Sequence, residues 1–238
     1  LGRILLSQSF KYNGLFPIRG RLLNVRNASN KQISENAEIQ ALLRILGLKI
    51  GEKAKRENLR YGGLVCLVDS DVFGIGAIQS LIMNFIHYFW PELLQENFFF
   101  YFRTPIIKIN LKNNTVKYFY SLPEYNKFIS YDHPPITNTK YIKGLGTIET
   151  SLGKEMSHNI ENHLIPFQPK TLEDDESIDR TFNKDRSNDR KEWINKTKSI
   201  EYDAEEEQNQ RLKHGLNITE YFDKDVAEFS RYNLEISI

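Results

Sequence analysis

Apolar side chains recur at Ile39, Leu42, Leu43 and Leu46, the i, i+3, i+4, i+7 spacing of one helical face. Ser34 or Asn36 stands where an N-cap belongs, and Gly47 where the helix should stop. The basic, Glu-containing stretch from Lys49 to Arg60 reads as a solvated connector. Next comes Leu64-Val65-Cys66-Leu67-Val68, an unbroken apolar run between Gly62-Gly63 and Asp69. Such a run predicts a strand buried on both faces, as in a parallel sheet. Beyond Gly74 and Gly76, the apolar positions Ile78, Leu81, Ile82, Phe85 and Phe89 return to helical spacing. Helix, buried strand, glycine turn and helix in that order predict an α/β domain.

After Pro91 the texture changes. Asn97 to Ile109 is aromatic and β-branched, which predicts a strand beginning or ending near Pro105. Val116 to Leu122 is a second strand candidate, with Asn113-Asn114 as a hairpin turn before it. Asp132 to Thr139 reads as loop, leading into Lys143-Gly144-Leu145-Gly146-Thr147. From Leu172 onward the pattern is charged and mostly helical, and Glu201 to Glu207 is a solvated helix face or linker. A tight turn, Pro17-Ile18-Arg19-Gly20, precedes apolar Leu22 and Leu23 near the start.

Composition narrows the options. With 238 residues the chain suits one large domain, or one domain and an appendage. A lone cysteine, Cys66, excludes an internal disulfide framework and any multi-cysteine zinc site, and favours a reducing compartment. No apolar run reaches the roughly 20 residues of a membrane-spanning helix, and the N-terminus does not read as a signal peptide. Because 32 basic side chains face 31 acidic ones, any nucleic-acid affinity must come from local patches. The chain opens on Leu1 and is read as an internal piece of something longer.

Asp69-Ser70-Asp71 follows the apolar run, where ligands bind in open α/β sheets. On an extended segment the two carboxylates would share a side and repel unless a cation sat between them. Mg2+, which takes one or two carboxylates plus water and phosphate oxygens, is the fitting ion. A polar turn whose aspartates cap backbone N–H groups explains the triplet alone at least as well. Lys143-Gly144-Leu145-Gly146-Thr147 resembles a phosphate-cradling loop without the full Walker pattern, and taken alone is a simple turn. Arg19-Gly20-Arg21 with Asn24 could grip a DNA backbone, or serve solubility. Lys184, Arg186, Arg190 and Lys191 are interleaved with Asp185, Asp189 and Glu192, so a self-neutralised helix face is the default there. His87, His133, His158, His163 and His214 show no metal-ligand spacing, and Phe98 to Phe102 reads as core rather than a base-stacking platform.

Together these pieces carry a resemblance. Gly14-Leu15-Phe16-Pro17-Ile18-Arg19-Gly20-Arg21-Leu22-Leu23-Asn24-Val25-Arg26 resembles the PLRGKxLNVR segment of eukaryotic type IIA DNA topoisomerases. In the family's order follow Lys31-Gln32-Ile33, Asn36-Ala37-Glu38-Ile39, Leu59-Arg60-Tyr61-Gly62, the acidic triplet and Thr104-Pro105-Ile106-Ile107-Lys108. Phe119 to Glu124, the Lys143 loop and Asp189-Arg190-Lys191-Glu192-Trp193 complete the series over nearly the whole chain. That last block fits the eukaryotic, nuclear form better than bacterial gyrase.

The resemblance implies a TOPRIM fold, a Rossmann-like parallel sheet flanked by helices, over residues 1–105. It implies an adjoining insert with strands, glycine loop and basic helix over 106–200, and a linker and the start of a winged helix over 201–238. It implies a segment of an ATP-dependent enzyme that relaxes and decatenates DNA by transient Mg2+-dependent double-strand cleavage and strand passage. Asp69 and Asp71 match the metal-ligand aspartates. Arg21, Asn24, Lys143, Lys184 and Arg190 fall at DNA-binding positions. The family's catalytic glutamate and tyrosine nucleophile lie outside this chain, as does the ATP-binding domain, so the fragment alone should be inactive. Double-stranded DNA is the implied partner, with a homodimer in the full-length enzyme and no membrane.

Three departures bear on activity. Phe73 replaces the third aspartate of the acidic motif, Gly63 a lysine, and Ile75-Gly76-Ala77-Ile78-Gln79 a Ser-His-Ile-Lys, with one extra residue. They motivate an alternative, a catalytically impaired topoisomerase-like DNA-binding protein or degraded gene copy. Another TOPRIM protein, a primase or nuclease, is disfavoured because such proteins lack the motifs from Thr104 to Trp193.

Overall fold

The computed structural model describes residues 1, 2, 4, 5, 12–197, 210, 211 and 213–236, the last four by backbone alone. The acidic stretch 201–207 therefore lies outside the described residues.

Helix α1 (Asn30–Glu35) is closed by a Ser29/Gln32 capping box. Helix α2 (Ala37–Leu46) follows at once, and Asn36 is its N-cap, accepting from the Ile39 amide at 3.0 Å. Gly47 ends it at φ +79°, where a side chain would be strained. Its buried face is Ile39, Leu42 and Leu46, as the spacing predicts.

Strand β1 (Leu64–Cys66) pairs parallel with β2 (Phe99–Phe102), joined by helix α3 (Ser80–Phe89). Such a crossover is the parallel unit that the alternation of elements predicts. On the other side of β2 lies β6 (Leu164–Pro166), antiparallel, giving the order β1-β2-β6. β1 is thus an edge strand among the described residues, and Val65 is 43% exposed rather than buried on both faces. Phe98 and Phe99 share a core cluster with Trp90, Phe85 and Met83 of the α3 region, while Phe102 packs in a second cluster with Ile148, Leu152 and Met156.

The aromatic stretch divides into two strands in different sheets. β2 stops before Arg103, and β3 (Ile107–Leu111) starts a second sheet beyond Thr104-Pro105. Proline has no N–H for a ladder, so the break falls there. β3 turns through Asn113-Asn114, with Asn114 at φ +63°, into β4 (Val116–Phe119). The strand expected to reach Leu122 ends earlier, because Ser121 caps helix α4 (Leu122–Ser130) and Pro123 suits its first turn. β5 (Ile136–Tyr141) completes the antiparallel order β4-β3-β5. The chain leaves the first sheet near residue 105 and returns to it through α5 (Thr150–His158) and β6.

Helix α6 (Leu172–Phe182) opens on a Thr171/Asp174 capping box. Asp174, 1% exposed, also accepts from the amide and hydroxyl of Thr219 at 2.8 and 2.7 Å, and so pins α6 to the C-terminal segment. Helices α7 (Ser187–Lys196), α8 (Ile218–Tyr221) and α9 (Ala227–Ile236) complete the fold.

Two π turns meet across the core. Gly74–Gln79 leads into α3, and Phe222–Val226 joins α8 to α9. A π turn takes up one residue more than an α turn, which absorbs the extra residue read after Gly74. A Cβ on Gly76 would lie 2.4 Å from Phe229 Cβ and 2.8 Å from the Asp225 carbonyl, so only glycine permits this approach.

Two buried histidines give the fold a pH dependence. Arg26 Nη2 lies 2.6 Å from His87 Nδ1; a guanidinium only donates, so His87 accepts there and donates from Nε2 to Asp175 Oδ1 at 2.6 Å. His163 donates from Nδ1 to the Arg103 carbonyl at 3.0 Å. Burial holds both imidazoles below the ordinary histidine value. Groups depressed in this way stabilise fully above their unfolded pKa of about 6.5, and that contribution fades as pH falls through the folded values. Thermal melts should therefore show Tm falling on acidification from about pH 7.5 to 5.5, with a shallower fall in His87→Gln. Equal slopes in the two proteins would contradict the His87 part.

Candidate nucleic-acid and metal site

The acidic triplet stands between β1 and the helical turn that begins at Val72. β1 ends at Cys66, so Asp69 and Asp71 are not on an extended strand and the parity that would aim them together does not apply. Asp71 Oδ1 accepts from the Gly74 amide at 2.7 Å, an N-cap interaction. Asp69 Oδ1 accepts from the Leu145 amide at 2.7 Å, across 76 residues. The two aspartates thus engage different partners, the first the Lys143-Gly144-Leu145-Gly146-Thr147 loop and the second its own helix. Ser70 Oγ between them meets the Thr104 carbonyl at 3.2 Å and its hydroxyl at 2.6 Å.

The glycine loop is shaped to this contact. A Cβ on Gly144 would fall 2.9–3.0 Å from the Asp69 carboxylate, so the loop backbone approaches the anion as only glycine allows. Gly74 is equally constrained, since a Cβ there would lie 2.1 Å from the Asp69 carbonyl oxygen. Asp71 lines a cavity of about 440 Å³ with Ser70, Thr104, Arg103 and Tyr120. Arg103 lies over the Tyr120 ring, 3.8 Å from its centroid.

Among the described residues, Oδ2 of Asp69 and of Asp71 accepts no hydrogen bond. Two carboxylates with an oxygen each to spare suit a hard divalent ion that completes its shell with water and phosphate. Among the described residues no group of three or more His, Cys, Asp or Glu is disposed to hold a metal. Phe73, at the motif's third position, is an aromatic packed edge-on against Phe229 and Tyr232 at centroid distances of 5.6 and 5.3 Å. Each aspartate therefore keeps one oxygen of the kind Mg2+ takes, and the motif's third position offers none.

The sequence-derived DNA positions divide in two. Arg21, Lys143 and Lys184 are exposed, and among the described residues none of their side chains pairs with an acid. Asn24 and Arg190 are committed internally. Asn24 Nδ2 donates to the Phe182 carbonyl at 2.9 Å, and its Oδ1 accepts from Asn84 Nδ2 at 3.0 Å and the Arg26 amide at 3.2 Å. Arg190 donates to the Arg180 carbonyl at 3.1 Å and to that of Asn183, closing the C-terminus of α6. Arg186 pairs with Asp189, one of the interleaved acids, and also with Glu176 and Asp179 of α6, so its neutralisation comes from two helices rather than from one helix face.

Local sequence reasoning passed over Arg26. Its guanidinium donates to Asn84 Oδ1 at 2.8 Å, Asp179 Oδ1 at 2.9 Å and His87, with Asp175 and Lys170 behind the histidine. This network ties the Arg19–Arg26 segment to α3 and α6. The only local signal was an arginine after apolar Leu22, Leu23 and Val25, which does not distinguish a buried cation from a surface one.

Residues 102–234 match the family described as the C-terminal associated domain of TOPRIM. The chain is 37% identical over 236 residues to DNA topoisomerase 2 top-2 of Caenorhabditis elegans, covering 94% of this chain and 15% of that protein. It is 38% identical to the putative mitochondrial DNA topoisomerase 2 of the same organism, covering 94% and 19%. Against DNA topoisomerase 2-alpha of Rattus norvegicus the identity is 42%, covering 76% and 12%. The chain thus spans less than a fifth of the curated relatives it matches. Among solved structures, the DNA-binding, cleavage and re-ligation domain of Plasmodium falciparum topoisomerase II superposes with a TM-score of 0.82 at 36% identity, covering 92% of this chain and 29% of that one.

Proposed function

Because this chain belongs to the eukaryotic type IIA DNA topoisomerase family, through its TOPRIM region, we propose that it serves an ATP-dependent DNA topoisomerase II as the segment that grips the cleaved duplex and carries Mg2+ ligands. One observation carries the reading most: Asp69 and Asp71 each keep a spare carboxylate oxygen, Asp69 held to the glycine loop by the Leu145 amide and Asp71 held by the Gly74 amide. In this reading Asp69 and Asp71 hold the ion, and Mg2+ when bound offsets charge on the scissile phosphate and leaving oxygen.

The chain's own residues do the positioning. The Leu145 amide fixes one oxygen of Asp69, and the Gly74 amide one oxygen of Asp71, so the remaining oxygens are presented without competing rotamers. Arg21, Lys143 and Lys184 supply cations to backbone phosphates, contacts that fix register without reading sequence. Asn24 and Arg190, assigned to DNA by the resemblance, act instead by holding the shape of the binding element. The glutamate and the tyrosine nucleophile are assigned to sequence outside these residues, as are the ATP site and most of the dimer contacts. The division at 105/106 and 200/201, with a winged helix beginning in the last part, belongs to the same proposal. So does a nuclear location, although one relative is designated mitochondrial. Among the described residues no helix is long and apolar enough to cross a membrane.

A second reading has its own support. Phe73 stands packed among aromatic rings where an acid would complete the motif, as expected of a DNA-binding protein with impaired cleavage. Relaxation of supercoiled plasmid by the intact protein separates the two. Relaxation that requires both Mg2+ and ATP is expected, whereas residues 1–238 alone should not nick the plasmid. Duplex binding without relaxation would establish the impaired reading instead.

A further inference from the structure

Arg21 sits on the exposed turn after Gly20, with its guanidinium carbon 5.7 Å from the Phe73 ring centroid and 5.2 Å from that of Phe229. Both distances are within the range of cation–π attraction. The rings come from different parts of the chain, Phe73 from the turn after Asp71 and Phe229 from α9, and they contact each other edge-on. Tyr232, one turn beyond Phe229, also meets the Phe73 ring edge-on, at 5.3 Å between centroids. Among the described residues, Arg21 forms no hydrogen bond or ion pair. The contrast with its neighbours is sharp, because Arg26, Arg180 and Arg186 all donate to carboxylates.

Aromatic rings restrain a guanidinium without consuming its N–H donors or cancelling its charge. A carboxylate in the same place would do both. Arg21 is therefore held yet left with its full donor fork, which is the requirement for bidentate recognition of a phosphate. Phe73 lies two residues beyond Asp71, so one of the two rings that restrain the cation belongs to the segment that carries the proposed metal ligands.

We propose that Phe73 and Phe229 form an aromatic clamp that aims Arg21 at a backbone phosphate of bound duplex, which makes Phe73 a positioning residue for DNA. This rests on the DNA-binding role proposed above. The position two residues past Asp71 then contributes through the arginine it restrains.

The test is duplex binding by the intact protein across a series of NaCl concentrations, with Arg21→Ala, Arg21→Lys, Phe73→Leu, Phe73→Tyr and the double variant Arg21→Ala/Phe73→Leu. Arg21→Ala should weaken binding about tenfold, the size of a lost charge-assisted contact, and lower the salt slope by about 0.9, one phosphate. Phe73→Leu, apolar but without a ring, should lose most of the same affinity. Phe73→Tyr should keep it, and Arg21→Lys should keep the slope but lose affinity. In the double variant the loss should match Arg21→Ala alone. An unchanged slope in Arg21→Ala, or losses that multiply in the double variant, would overturn the clamp. Arg21→Ala leaves the ring cluster in place, so an unchanged slope in that variant overturns the clamp even if Phe73→Leu misfolds. Absence of salt-dependent binding by the unsubstituted protein would remove the DNA reading itself, and with it the clamp.

Discussion

Asp69→Asn in the intact protein should abolish Mg2+-dependent DNA cleavage while leaving the fold in place. The substituted amide keeps an oxygen that can accept from Leu145, so the latch between the triplet and the glycine loop survives. What disappears is the negative charge, and with it one of two anionic ligands. Changes one shell further out typically cost about 10–100-fold in metal affinity or activity, so loss of a ligand should exceed that. Plasmid cleavage measured over a MgCl2 titration, beside a thermal melt, separates the two effects. Undiminished cleavage with an unchanged melting curve would remove Asp69 from the metal site.

Arg26→Ala should be the most destabilising single change in the polar interior, at about 3–5 kcal/mol, the cost of breaking a buried pair from one side. The arginine side chain is 13% exposed and serves three acceptors on two helices. Its removal strands Asn84 Oδ1 and the unprotonated His87 nitrogen in a low-dielectric interior. Asp179 retains Arg186, at 3.3 Å, which places the expected value toward the lower end of the range. Lysine would be a poor substitute, since one ammonium cannot span acceptors set around a planar fork. Urea denaturation should show a lower midpoint with the same slope. A change under about 1 kcal/mol would mean that the network reorganises around the loss.

Where function and local pattern coincide, the sequence was a good guide. The α2 face, its Asn36 cap and its Gly47 stop are all set within one turn of the residues concerned, and so is the Asn113-Asn114 hairpin. The ordered motifs likewise led to the family. Asp71 was harder, because whether it extends a strand or caps a helix depends on the chain turning helical at Val72. β6 escaped notice because three residues ending in proline make a strand only through their pairing with β2. Asn24 and Arg190 looked like DNA ligands on type and position, yet Asn24 is satisfied by a carbonyl 158 residues away. Most telling is Arg21 with Phe73. Each departs from the family pattern separately, and nothing in the 51 intervening positions announces that they touch.

The contacts made by the acidic triplet have a consequence for tolerance to change. Ser70 holds Thr104, where the chain sets out toward the second sheet, and Asp69 holds Leu145, where it comes back. The excursion is drawn shut at its neck like a purse, so its closure entropy is settled there whatever the contour length beyond. Natural relatives could lengthen or trim the tips near residues 112–115 and 131–135 at little cost to the triplet. A protease nick at either tip should leave two fragments that stay together and keep the carboxylates in place.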